Sequence, residues 1–150
     1  MKTRCAAAGS IRKRMTFTGT IQAIRDMSDM YPQTHRKLIE DKANGSAAID
    51  ALRREISGLI PVNPHGGKEA RASAVSAAVE SGNVFLPRFA PWLGDFIEEC
   101  AAFPNAAHDD QVDAMTQALM SLHKMSNPIG LIGQGGIGAY KRELPYTVIT

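Results

Sequence analysis

The chain has 150 residues, 44% of them hydrophobic, and a formal net charge of +2. That length suits one domain with its own core, needing neither disulfide nor metal support. So small a net charge excludes nucleic-acid binding argued from total charge; any basic surface has to be local. Cys5 and Cys100 form no CxxC pair and no Cys/His cluster, which argues against a zinc site and for reduced thiols inside a cell. No apolar run reaches membrane-span length, and the basic start lacks the apolar stretch of a signal peptide.

Residues 1–15 carry five Lys/Arg, no acid and no periodicity, and read as a poorly ordered start. A helix is expected from Thr16 to Met30, because Ile21, Ile24, Met27 and Met30 keep a period near 3.6 and Pro32 closes it. Arg36–Glu40 reads as a short strand, with Asn44-Gly45 as a turn. Ser46 then caps a helix to about Ser57, with Ile49, Leu52, Arg53 and Ile56 in register. Leu59–Val62 is a second strand, Lys68–Ser81 an Ala-rich helix ended by Gly82, and Asn83–Pro87 a third strand. Trp92–Ala102 is expected to be helical with Leu93, Phe96, Ile97 and Cys100 inward, and Asp109–Lys124 forms the last helix. The Gly-rich remainder from Ser126 reads as a tail, with a short strand at Tyr146–Ile149. Strands alternating with helices give an α/β domain with a largely parallel sheet, although three strands are few for one.

Three places could carry chemistry. Glu40 and Asp41 lie at the carboxyl end of a strand, where open α/β sheets place ligands; adjacent strand residues point to opposite faces, so one of them faces a site. The alternative is a surface pair at a strand exit. In His108-Asp109-Asp110-Gln111-Val112-Asp113 the three acids share one third of the helix circumference. Such a cluster suits a divalent cation, but it is equally read as Asp109 capping the helix beside two solvated neighbours. Lys68 and Arg71, one turn apart after Gly66-Gly67 with His65 just ahead, suit a phosphate at a helix start, or form a plain solvated loop. Val62 and Glu69 break the P-loop pattern there, so nucleotide hydrolysis is not expected. Trp92 reads as core rather than as a base-stacking platform, and the Gly-rich run 132–138 does not follow the strand-to-helix pattern of dinucleotide binding.

Four ordered stretches together resemble the C-terminal nuclease domain of tailed-phage terminase large subunits: Ile39–Gly45, Gly66–Ala72, Gly82–Pro87 and His108–Ala114. The resemblance spans about residues 15–124. It implies an RNase H-like fold, cutting of concatemeric viral double-stranded DNA at packaging, and two Mg²⁺ or Mn²⁺ ions held by acids. Carried across by motif, Glu40 and Asp110 are catalytic acids and metal ligands, Asp113 an accessory one, and Asp109 a weaker ligand. Lys68, Arg71 and His65 would contact DNA. Partners implied are the terminase small subunit, the portal or a separate ATPase-bearing chain, in the cytoplasm of a bacterial host and away from membranes.

The pattern departs from the family in two ways. The family's first catalytic Asp lies on an initial strand, yet the only acids ahead of Glu40 here are Asp26 and Asp29, both in the expected first helix. The first strands of the RNase H-like sheet are therefore expected to be missing, leaving an open edge that invites oligomers. No Walker A motif occurs, so this chain is not expected to power packaging. Three readings stay open: an inactive prophage remnant, a nuclease completed by another chain, or a non-catalytic DNA-binding or assembly module.

Overall fold

The computed structural model describes residues 5–7, 9–42, 44–126 and 144–148. The elements run β1 (Cys5–Ala7), α1 (Phe17–Met30), β2 (Lys37–Glu40), α2 (Asn44–Leu52), β3 (Leu59–Val62), α3 (Lys68–Glu80), β4 (Val84–Phe85), α4 (Leu93–Ala102), α5 (Asp110–Ser126) and β5 (Leu144–Val148). The strands form one sheet in the order β3-β2-β5-β1-β4, and every pairing between them is parallel. An all-parallel sheet needs crossover connections, which the intervening helices provide.

Leu38 and Ile39 are both buried, at 4% and 6% exposure, although neighbouring strand residues face opposite ways. Both faces of β2 are therefore covered, as parallel sheets require. On one face Ile39 joins Ile21 and Ile24 of α1 and Ala48, Ile49 and Leu52 of α2, with Ile56 and Leu59 packed alongside. On the other, Arg36 reaches Ser121 of α5 at 3.4 Å. A second cluster joins Val75 of α3 to Leu119 and Leu122 of α5, with Val84 against it.

Thr16 caps α1, its hydroxyl accepting the Gly19 N–H at 3.2 Å. Gly82, with φ of 67°, follows the end of α3 in the left-handed region open to glycine. Gly45 lies in the first turn of α2 in place of the expected turn: its Cα packs so closely on the Glu40 carbonyl oxygen that no Cβ fits. Ser46 is not the cap, because its hydroxyl turns back to donate to Asp41 Oδ1 at 2.5 Å.

Several boundaries differ from the sequence-based expectation. Helix α2 stops at Leu52, where the chain turns through residues 53–58 to re-enter the sheet; Arg53 is exposed and pairs with Asp50 at 3.6 Å. In α4 the inward stripe is Phe96 and Glu99, while Ile97 is 50% exposed. The larger difference lies in the sheet. Cys5–Ala7, within the start expected to be poorly ordered, forms β1, and the short strand expected at Tyr146–Ile149 runs over Leu144–Val148 and inserts between β1 and β2, so the sheet has five strands. The short β1 carries no hydrophobic alternation that a pattern search would register. One edge strand, β3, contains Pro61, which has no N–H to offer an added strand. Most of the Gly-rich tail, at 127–143, lies outside the described residues.

Candidate active site

A cavity of about 370 Å³ opens where β2 ends, between α1, α2, α3 and α5. The four-residue strand delivers Glu40 to its rim, and α5 brings Asp110 and Asp113. Lys42, Lys68 and Arg71 also line it. Asp41 does not; strand alternation sends it to the other side, onto Ser46. His65 and His108 are exposed and lie outside the cavity lining. Asp26 and Asp29 sit on exposed positions of α1, Asp26 accepting from Gln22 at 2.8 Å. Trp92 packs edge-on against Phe96, ring centroids 5.9 Å apart.

The acids at the cavity are largely matched by cations of the chain itself. Lys42 Nζ stands 2.9 Å from Glu40 Oε1, and Lys68 Nζ donates to Asp109 Oδ1 at 2.6 Å. The Asp109 hydrogen bond, assisted by the charges of Asp109, Asp113 and Asp110, holds the Lys68 ammonium above its ordinary pKa against a smaller opposing effect of burial. Arg71 is the most committed cation. Its Nε and Nη2 both donate to Asp113 Oδ1, at 3.1 and 2.5 Å, and its Nη1 donates to the Gly66 carbonyl at 2.7 Å. The side chains of Arg71 and Asp113 are only 7% and 10% exposed.

These distances bear on two of the expected site residues. Arg71 is an interior cross-link between α3 and α5, not a surface cation, because all three guanidinium nitrogens are engaged below the surface. Asp113 faces the cavity with its Oδ1 taken by Arg71, so a metal ion reaching that oxygen would have to displace a buried partner. Asp110 is the exception: it is exposed, lines the cavity, and has no ion pair or hydrogen bond to another described side chain. Lys68, 43% exposed, is the accessible cation at the rim.

Among the described residues no three Asp, Glu, His or Cys side chains gather closely enough to hold a metal ion. Glu40 and Asp110 both line the cavity, and one Mg²⁺ is commonly bound through one or two carboxylates with water completing its shell.

Sequence reasoning missed Glu99. Its carboxylate is 4% exposed and receives the Gln111 N–H at 2.6 Å, the Val112 N–H at 3.1 Å and the Gln111 side-chain amide at 2.9 Å, with Arg12 at 3.5 Å. The signal was present: Trp92, Phe96 and Glu99 recur at four and three residues, so an acid falls on an apolar stripe.

No helix among the described residues is long and apolar enough to cross a membrane. Neither a curated protein nor a solved structure matches the chain. Comparison with known families matches residues 10–122 to the terminase RNase H-like domain, a stretch that contains β2, β3 and β4, helices α1 to α4, most of α5 and every residue of the cavity. By that match, the chain belongs to the terminase RNase H-like domain family.

Proposed function

We propose that this domain acts as a terminase nuclease that engages double-stranded DNA at the carboxyl end of its sheet during genome packaging and cuts it with Mg²⁺ or Mn²⁺ held between Glu40 and Asp110. The observation that carries this reading is the meeting of Glu40 from β2 and Asp110 from α5 in one cavity that Lys68 also lines. A bound divalent ion would supply Lewis-acid stabilisation of the charge that develops on a phosphodiester during hydrolysis. Lys68 releases Asp109 and contacts a backbone phosphate, an exchange between two anions that costs little at an exposed position. Asp113 and Arg71 hold α5 against α3 so that Asp110 keeps its place. A second ion needs a further carboxylate, which another chain of a packaging complex would contribute.

One observation favours a second reading, a non-catalytic DNA-binding or assembly module: Glu40, Asp109 and Asp113 each already carry a cation of the chain. Calorimetric titration of Mn²⁺ separates the two, with Asp110→Ala as control and nicking of supercoiled DNA alongside. Nuclease function requires Mn²⁺ binding and nicking that both disappear in Asp110→Ala and in Glu40→Ala. Binding no stronger than the control, with salt-sensitive DNA affinity that depends on Lys68, establishes the module instead.

A further inference from the structure

The start of α5 is held in an unusual way. The first N–H groups of a helix lack partners within it, and the N-cap side chain ordinarily accepts one or two of them. Asp109 occupies that position, since its carbonyl receives the Asp113 N–H at 2.9 Å. Its carboxylate nevertheless points away, to Lys68. The Gln111 and Val112 N–H groups go to Glu99 Oε1, on a different helix.

We infer that Glu99 is the positioning residue for the acid-bearing first turn of α5, taking the capping role of Asp109 and so leaving Asp109 available to Lys68. The inference rests on the proposed role of Asp110. Several features make Glu99 a clamp rather than a chance contact. Its carboxylate is nearly inaccessible, yet both oxygens are satisfied, and a buried charge persists only with such partners. It sits at the amino end of α5, where the free N–H groups turn positive partial charge towards its oxygens. Gln111 extends the grip, because its side-chain amide donates to Glu99 Oε2 while its own oxygen accepts from Ser10 Oγ at 3.1 Å. Arg12 closes the network at 3.5 Å. Residues 10–12, just after β1, are thereby joined through Glu99 to the turn that carries Asp110. A group that fixes how a ligand-bearing turn is oriented affects metal affinity without touching the metal.

The test is amide hydrogen exchange on the full chain, with Mn²⁺ titration on the same samples, comparing wild type, Glu99→Gln, Glu99→Ala and Asp109→Asn. In Glu99→Ala the Gln111 and Val112 amides should exchange at least roughly tenfold faster while those of Leu119 and Leu122 stay as in wild type, and Mn²⁺ affinity should fall on the order of tenfold. Glu99→Gln keeps one acceptor oxygen and should restore most of both; if Glu99→Ala does not fold, Glu99→Gln against wild type still reads the same two amides. Asp109→Asn should leave the two amides unchanged. Faster exchange spread evenly along α5, or two amides more sensitive to Asp109 than to Glu99, overturns the assignment. Wild type that binds no Mn²⁺ refutes the nuclease reading, and the exchange pattern still decides what Glu99 does.

Discussion

Both ends of the sheet bury a cation, and the two are treated differently. At the amino end of β2, Lys37 is 7% exposed and its ammonium donates to the carbonyls of Thr34 and Ser57, at 2.8 and 3.1 Å. At the carboxyl end, Arg71 is 6% exposed and faces the Asp113 carboxylate as well as the Gly66 carbonyl. Lys37 is held by neutral main-chain groups that any sequence supplies once the turns are formed. Arg71 is held by a side-chain charge, so its environment exists only because two particular residues meet. At the amino end the buried ammonium is met by backbone carbonyls, whereas the carboxyl end gathers paired charges around a cavity, where one ion can be exchanged for another. This is also the end at which open parallel sheets bind ligands.

If that contrast is right, breaking the pair at the carboxyl end has the largest effect. Arg71→Ala leaves Asp113 buried and unpaired, and should cost about 3–5 kcal/mol of stability, read by urea unfolding. Replacing both residues together, Arg71→Leu with Asp113→Leu, should recover most of that loss, because the penalty comes from the orphaned charge and not from the missing pair. A single Arg71→Ala variant within about 1 kcal/mol of wild type would break the comparison. It would mean that the guanidinium is loosely held and returns Arg71 to the set of candidate DNA contacts.

The amino end should respond less. Lys37→Met keeps the length and apolar stem of the side chain but removes its donors from Thr34 and Ser57. Two under-bonded carbonyls should cost about 1–3 kcal/mol by the same urea measurement. Mn²⁺ binding at the opposite end should be untouched. A loss as large as that of Arg71→Ala would show that backbone and side-chain partners are equivalent and that the two ends of the sheet do not differ in this respect.

How much of this was legible beforehand follows the same division. The spacing of Ile21, Ile24 and Met27, and of Val112, Leu119 and Leu122, placed α1 and α5 within two residues of their observed limits. Glu40 and Asp110 stood out because their types and positions, a strand end and a helix start, are local facts. The pairings were not legible, since Arg71 and Asp113 are 42 residues apart and nothing local marks them as partners. Arg71 therefore looked like a surface phosphate contact. Glu99 was hidden for the same reason: its donors lie 12 and 13 residues along, across a turn. Strands β1 and β5 were missed or placed late because a three-residue Cys-Ala-Ala segment, and one interrupted by Pro145, take their strand character from their neighbours in the sheet.

The smallest expected effect lies at the rim, between the two extremes. Lys68 is 43% exposed, so solvent screens its pair with Asp109, and Lys68→Met should change stability at neutral pH by only about 0.5 kcal/mol. Its pH dependence is more telling. The Lys68 pKa is raised in the folded state, chiefly by the hydrogen bond to Asp109. The folded chain therefore holds this proton more tightly than the unfolded chain does. The pair's contribution is complete below the ordinary lysine value of about 10.4 and is lost as pH rises through the higher folded value. The Cys100 thiol, pushed up first by burial and then by the charge of Glu99, weakens the fold in an overlapping alkaline range. The useful quantity is thus the difference in unfolding midpoint between wild type and Lys68→Met, followed from pH 8 to 11, in which the Cys100 contribution cancels. That difference should shrink towards zero at the alkaline end, and in an Asp109→Asn background it should be small throughout. A gap that stays constant with pH would mean that Lys68 stabilises the rim through its methylene stem, and that the charges there are not exchangeable in the way DNA binding requires.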